Sequence, residues 1–251
     1  MALSRNRIKY IQSLKSKKQR DIHGTFVAEG MKLVTDLLST CRCQFLVGLP
    51  DVIDSFGKCP RVESIIKVDE ADLKKTSLLK TPPHIVGVFY QPEHTYDLSG
   101  LKSELSLALD AIQDPGNMGT IIRLADWFGI TRVFCSRDTN DIYNPKTVQA
   151  TMGAIARVEV HYVDLEDFLG SQLNIPIYGT FLDGKSIYDE PLSSNGIIVM
   201  GNEGKGIRHE LETLITRRLF IPSYPPENRT SESLNVAMAT AIVCSEFRRR
   251  K

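Results

Sequence analysis

The sequence has little cysteine, and what it has is not arranged for bonding. Its five cysteines are odd in number and include no CxxC pair, which argues against a disulfide framework and against a structural zinc site. Cys135 and Cys244 lie in the apolar contexts VFCS and AIVCSEF and read as core thiols. No apolar run is long enough to span a bilayer, and no signal-peptide core is present. No membrane partner is therefore expected, no metal site is suggested, and a reducing, cytoplasmic compartment is the expectation. An excess of charge of either sign is also missing. The formal net charge is +1, so any nucleic-acid partner must be held by a local patch. The chain shows neither internal repeats nor low-complexity segments. Its 42% hydrophobic and 24% charged residues are ordinary for a folded protein of one large domain or two smaller ones.

The charge that is there is unevenly placed. The first twenty residues carry Arg5, Arg7, Lys9, Lys15, Lys17, Lys18 and Arg20 without an acidic residue, and the chain ends Arg248-Arg249-Arg250-Lys251. Such ends serve either as phosphate contacts or as a solvated helix face. An acid-poor, basic start also resembles an organelle transit peptide. Against that, Ile8, Ile11 and Leu14 repeat at helical spacing and run directly into ordered-looking sequence.

Hydrophobic periodicity predicts helices over 8–18 and 30–39 and strands over 44–48, 64–68 and 84–90. The polar, proline-containing stretch 91–100 breaks the pattern and is the candidate linker. Beyond it, strands at 105–112, 132–135, 157–161, 176–181, 196–200 and 218–221 alternate with helices at 119–128, 144–153, 165–172, 207–214 and 233–250. This alternation implies an α/β fold with a parallel sheet covered on both faces. Ligands of such sheets sit beyond the carboxyl ends of the strands.

Three strand-end loops carry the candidate chemistry. In QDPGNMGTIIRLADWFG, Asp114-Pro115-Gly116 predicts a tight turn and Asn117 a helix cap, with Arg123 close enough to the helix start to face the same cleft. In IIVMGNEGKGI, the glycines around Glu203 fit neither phosphate signature. A Walker loop needs glycine where Val199 stands, and no triplet has GxGxxG spacing. Gly201, Gly204 and Gly206 must instead permit positive φ or close backbone approach. In IPSYPPENRTSESLNVAMATAI, a proline-rich excursion leads to Ser233 at a helix start. The small residues Ala237, Ala239, Thr240 and Ala241 then let another backbone pack closely.

Together and in this order, the three stretches resemble the SpoU/TrmH family of SPOUT methyltransferases. The earlier stretch GTFVAEGMKLVTDLL, 24–38, is similar to the substrate-binding domain that precedes the catalytic domain in the ribosomal-RNA branch of that family. The resemblance implies a C-terminal parallel-sheet domain with a deep trefoil knot at 104–251, preceded by a smaller α/β RNA-binding domain, related to a ribosomal-protein fold, at 1–95. It implies transfer of methyl from S-adenosylmethionine to a ribose 2′-hydroxyl of RNA, most plausibly 23S-type ribosomal RNA, by a homodimer joined through the catalytic domain with its active site completed near the interface. Transfer RNA is the alternative target, and a catalytically silent RNA-binding or ribosome-assembly protein the alternative role. By the same resemblance, Gly201, Ile221 and Leu234 bind cofactor through main chain, with Gly179, Thr180 and Ala237 nearby. Arg123 activates or anchors the hydroxyl, Asn117 and Asn235 orient it and the ribose, Glu203 holds the loop or the arginine, and Ser233 bonds either ligand. Lys15, Lys17, Lys18, Arg20 and Arg229 are the candidate phosphate contacts of RNA.

None of the five histidines lies within the three loops, so the pattern supplies no obvious general base for an alcohol. The failed phosphate signatures leave a nucleotide-binding enzyme as the rival of a different class. Titration calorimetry separates the two: S-adenosylmethionine is expected to bind and ATP is not. Tight ATP binding with no heat from the methyl donor would remove the methyltransferase reading.

Overall fold

The computed structural model describes residues 3–57, 59–93, 98–172, 174–225 and 233–249. Part of the expected linker (94–97), Arg229, and the basic residues Arg250 and Lys251 lie outside that set. Among the described residues, no helix is long and apolar enough to cross a membrane. Contacts divide the chain into two units, Met1–Glu93 with Asp141–Arg157, and His94–Asn140 with Val158–Lys251.

In the first unit, helices α1 (Arg5–Ser13), α2 (Lys17–His23), α3 (Met31–Thr40), α4 (Pro50–Ser55) and α5 (Glu70–Thr76) surround four strands, β1 (Thr25–Glu29), β2 (Cys43–Gly48), β3 (Ile65–Lys67) and β4 (Ile85–Tyr90). The strand order is β1-β4-β2-β3, with β4 antiparallel to both neighbours and β2 parallel to β3. The predicted helix over 8–18 is two helices, because Ser4 caps the first and the chain turns at Leu14 before α2. Strand β1, unmarked by alternation, is buried at all five positions. A strand covered on both faces loses the period-2 signal. Ile11, Leu14, Val27, Phe45, Val47, Val86 and Val88 form the core of this unit, each contributing about 1.5–3 kcal/mol by burial.

Residues 141–157 join this unit, not the one expected from their place in the chain. Their helix, α7 (Pro145–Thr151), packs on β1, and the turn after it, Ala154–Ala156, packs on α3. Tyr143 lies against Phe26, ring centroids 4.9 Å apart, and burial pushes its phenol up from the ordinary range. The expected division at 1–95 and 104–251 thus differs from the contact grouping. The crossover between two strands of the second sheet spends its apolar face on the first.

The same segment corrects the reading of Arg20 as a phosphate contact. Arg20 is 2% exposed, its guanidinium forming an ion pair with Asp141 at 2.6 Å and donating to the carbonyls of Leu14 and Lys15. Lys15, Lys17 and Lys18 are exposed.

The second unit holds a six-stranded sheet, every pair parallel, in the order β10-β8-β9-β5-β6-β7. The strands are β5 (Leu105–Leu109), β6 (Arg132–Ser136), β7 (Glu159–Val163), β8 (Ile177–Ser186), β9 (Gly196–Met200) and β10 (Arg217–Phe220). Its helices are α6 (Pro115–Trp127), α8 (Leu165–Gly170), α9 (His209–Glu212) and α10 (Val236–Arg249). Strands β5 and β9 are buried at every position, as continuous apolar runs in a parallel sheet must be. Phe134 stacks on Phe168 at 4.1 Å within a core that includes Ile197, Val199, Ile207 and Leu211. Cys135 and Cys244 are buried as expected, and burial pushes the Cys244 thiol up to about 12, which leaves it protonated and unreactive. From β5 the chain builds outward through β6 and β7, then returns to the other side with β8 and β9. The order therefore reverses between β5 and β9, the switch point where parallel sheets open a ligand crevice.

Replacing Arg20 with Ala leaves the carboxylate of Asp141 without its ion-pair partner, an error that costs about 3–5 kcal/mol in buried pairs. Chemical denaturation of Arg20→Ala is expected to show a loss of that order. A loss below about 1 kcal/mol, the range of exposed pairs, would return Arg20 to the surface cations.

Candidate active site

The middle of β8 and the carboxyl ends of β9 and β10 surround a cavity of about 780 Å³. Its walls come from 180–183 within β8, from Met200 through Ile207 at and after the end of β9, from Phe220 through Ser223 at and after the end of β10, and from Ser233, Leu234, Val236 and Ala239 at the start of α10. The outer wall arises because the β8–β10 register jumps. Arg218 stands opposite Gly179 and Leu219 opposite Lys185, so the residues between bulge toward the cavity.

Helix α6 begins earlier than its apolar spacing suggested. Asp114 is its cap, accepting the N–H of Asn117 at 2.8 Å, and Pro115 takes the first helical position, where its missing N–H costs nothing. The expected tight turn is the first turn of the helix, and Asn117 is not the cap. Its side chain is thereby released for another contact. Asn117 Nδ2 donates to Glu203 Oε1 at 2.6 Å, and Asn117 Oδ1 accepts from Asn235 Nδ2 at 3.0 Å. Asn235 Oδ1 in turn accepts the N–H groups of Ala237 and Met238 at 3.0 and 3.3 Å, capping α10. The orientation of both amides is forced from the ends, since a carboxylate only accepts and helix N–H groups only donate. One residue from each predicted loop joins this chain.

The loop after β9 is closed on itself. Asn202 and Gly206 exchange backbone hydrogen bonds at 3.0 and 2.9 Å, and Asn202 Oδ1 accepts from the N–H groups of Gly204 and Lys205. A Cβ on Gly201 would stand 2.3 Å from the backbone of Gly206; the glycine admits its own loop, not only a ligand. Gly206 has φ +71, the left-handed region that favours glycine.

Of the residues expected at a cofactor, Thr180, Gly201, Ile221 and Leu234 line the cavity, as do Glu203 and Ser233. Gly179 and Ala237 do not. Gly179 packs against Phe181, Ile207 and Ile215, and Ala237 is 1% exposed, one turn behind the wall. Arg123 is the ninth of the 13 residues of α6, further from the helix start than expected. It is exposed, stands outside the cavity lining, and has no hydrogen-bond or ion-pair partner among the described residues. The apolar wall formed by Phe181, Leu182 and Phe220 escaped sequence reading. So did Arg218, whose guanidinium lies 3.5 Å from the ring centre of Phe181 and bonds Asp183 at 2.7 Å and Glu212 at 3.1 Å. Arg218 holds the Asp183 carboxyl below its ordinary range. Alternating residues at the end of a long strand were the available signal, but only the bulge turns them toward one space.

The wall charges are the carboxylates of Asp183, Glu203 and Glu212 against Lys205 and Arg218, and Arg218 is already committed to two of those carboxylates. A polyphosphate would meet net negative charge. A ligand that is apolar in part and carries cationic groups fits the donors and walls present.

Comparisons with known proteins agree with this geometry. The family model of the SpoU rRNA Methylase family matches residues 104–245, and that of the MRM3-like substrate binding domain matches 5–87. The 23S rRNA (guanosine(2553)-2′-O)-methyltransferase RlmP of Bacillus subtilis is 30% identical over 251 residues, covering 96% of each chain. A solved TrmH-family chain from Porphyromonas gingivalis is 41% identical, with a TM-score of 0.91 and 100% of both chains covered. An AdoMet-bound rRNA methyltransferase from Sinorhizobium meliloti is 32% identical, with a TM-score of 0.88, covering 100% of this chain and 97% of its own.

The side-chain relay makes a test with a defined pH sign. Asn117→Asp sets a carboxylate against that of Glu203, and like charges raise the pKa of the pair. The variant is expected to lose about 1–3 kcal/mol near neutral pH and to regain part of it in acid. The proton that the pair then shares restores a donor between the two oxygens, so the stability is present at low pH and lost as pH rises through the raised pKa. Thermal melts of wild type and variant across pH measure this, and a difference independent of pH would show that the contact does not form.

Proposed function

Because the chain belongs to the SpoU rRNA methylase family, we propose that it transfers a methyl group from S-adenosylmethionine to a ribose 2′-hydroxyl of RNA, with 23S-type ribosomal RNA as the target. The observation that carries this reading is the Glu203–Asn117–Asn235 chain at the mouth of a cavity poor in free cations. It unites three loops around a space suited to a sulfonium and an ammonium more than to phosphates. The likeness to RlmP over nearly the whole of both chains supports ribosomal RNA over transfer RNA, and the match of the MRM3-like substrate binding domain to 5–87 supports a first domain that holds the RNA substrate.

S-adenosylmethionine, when bound, supplies a methyl group already activated on sulfur. The chain's own work is to hold and orient two reactants for an in-line displacement. Main chain at Gly201, Ile221 and Leu234, with Thr180 beside them, would hold the cofactor, and Gly179 and Ala237 support that wall from behind. The side chains of Asn117 and Asn235 would orient the ribose, and Glu203 fixes the rotamer of Asn117 by accepting its proton donor. Ser233, exposed at the cavity edge, can bond either ligand. Arg123 would serve as an electrostatic anchor for an RNA phosphate and for negative charge developing on the hydroxyl oxygen. Lys15, Lys17 and Lys18 would supply further phosphate contacts, as would Arg229, which lies outside the described residues.

The reading extends to a homodimer through the catalytic domain, a deep trefoil knot in that domain and a cytoplasmic location. Helices α6 and α10 run side by side. Asn117 meets Asn235 at one end, and Arg248 donates to the carbonyls of Phe128 and Gly129 at the other. Trp127 and Met238 on this pair are 83% and 57% exposed, which supports a second copy packing there. Five free cysteines accord with a reducing compartment.

Mapping 2′-O-methyl groups in ribosomal and transfer RNA from cells with and without the protein tests the target. One site in ribosomal RNA is expected to disappear. In vitro, Arg123→Ala is expected to lower turnover by about 100- to 1000-fold with S-adenosylmethionine affinity unchanged. Turnover near wild type would take Arg123 off the catalytic list.

A further inference from the structure

Asp110 has no part in the reading above, yet its backbone N–H holds one end of the loop that carries Glu203 and its carboxylate holds the other. Asp110 follows β5 directly and is fully buried. Its backbone N–H donates to the carbonyl of Met200 at 2.9 Å, where the chain leaves β9 for the loop. Its Oδ2 accepts the N–H of Arg208 at 2.8 Å, where the chain leaves the loop for α9. The guanidinium of Arg208 lies 2.6 Å from Oδ1 in an ion pair, and 3.6 Å from Asp138. The next residue adds a third tie: the carbonyl of Ala111 accepts Asn202 Nδ2 at 2.8 Å. Ala111 is held at φ +55, a left-handed conformation uncommon in residues other than glycine.

A buried carboxylate is a poor device for stability, because an apolar side chain of similar volume commonly serves as well. It is a good device for position, because only an acceptor here can take both the N–H and the guanidinium of Arg208. We infer that Asp110 is a positioning residue for methyl transfer: it closes the neck of the 201–207 loop and so sets where Glu203 meets Asn117. Asp110 acts through Glu203 and touches no substrate. The inference rests on the methyltransferase reading proposed above.

The test uses the full chain with Asp110→Asn, Arg208→Ala and Arg208→Lys, each alone and combined with Glu203→Gln. Hydrogen exchange of the loop amides, S-adenosylmethionine affinity by calorimetry, and kcat and KM for RNA are measured for each. Asn at 110 still accepts the N–H of Arg208 but loses the charge. Asp110→Asn is expected to reduce kcat by about 10- to 100-fold with KM for RNA unchanged, and to lower protection at 201–207. Arg208→Ala, which leaves the buried carboxylate of Asp110 without its ion pair and so also lowers the melting temperature, is expected to act in the same direction, with partial recovery in Arg208→Lys. In the Glu203→Gln background the Asp110→Asn loss should shrink toward nothing, as coupled residues require. Retained loop protection and kcat with only a lower melting temperature would overturn the inference, and so would fully additive losses. A wild-type chain that binds no S-adenosylmethionine and methylates no RNA would defeat the methyltransferase reading. Exchange at 201–207 then still decides the clamp: protection lost in Asp110→Asn supports it, and protection kept overturns it.

Discussion

The side-chain amide of Asn117 has one end that donates and one that accepts, and the catalytic unit depends on both being used. Its donor faces the carboxylate of Glu203 and its acceptor faces Asn235, whose own oxygen caps α10. Three loops far apart in the chain are thereby held in one arrangement by groups that cannot be interchanged. Every other part of the site can be understood as support for this contact. Asp114 takes over the cap of α6 so that Asn117 is free for it. The loop after β9 is folded on itself and tied to the end of β5 so that Glu203 arrives where Asn117 points.

Electrostatics then decide what the cavity can accept. Carboxylates outnumber cations in its wall, and Arg218 is engaged by Asp183 and Glu212 while lying over the ring of Phe181. No free ring of positive charge remains for a polyphosphate. The negative charge of Glu203, which looks out of place among glycines, fits the proposed site for a cofactor that brings positive groups of its own. Lys15, Lys17 and Lys18 are exposed on the first unit, and Arg123 is exposed on α6.

The first unit shows how a charge can be misread from sequence. Arg20 lies in a run of basic residues, but its partner Asp141 is more than a hundred residues away in the chain. The segment that brings Asp141 also carries Tyr143 to Phe26 and α7 to β1. A crossover that should cover one sheet is used to complete another core, and no local pattern announces such a loan.

Much was legible without coordinates. The alternation of strands and helices, the parallel sheet, the three strand-end loops and the absence of a phosphate signature all follow from spacing and residue type, because those properties are local. Gly201, Glu203, Ile221, Ser233 and Leu234 fall in those loops by pattern and family likeness, and with Thr180 of β8 they line one cavity. What the tertiary structure decided is which atoms face one another. It turned Asn117 from a cap into a relay and Arg20 from a surface cation into a buried anchor, and it showed that Gly201 must also admit its own loop. It also gave the silent Asp110 two ends of a loop to hold. The reason is the same in each case: a hydrogen bond or ion pair is defined by a partner and an angle, and in this chain the partners that matter lie from several to more than a hundred residues away.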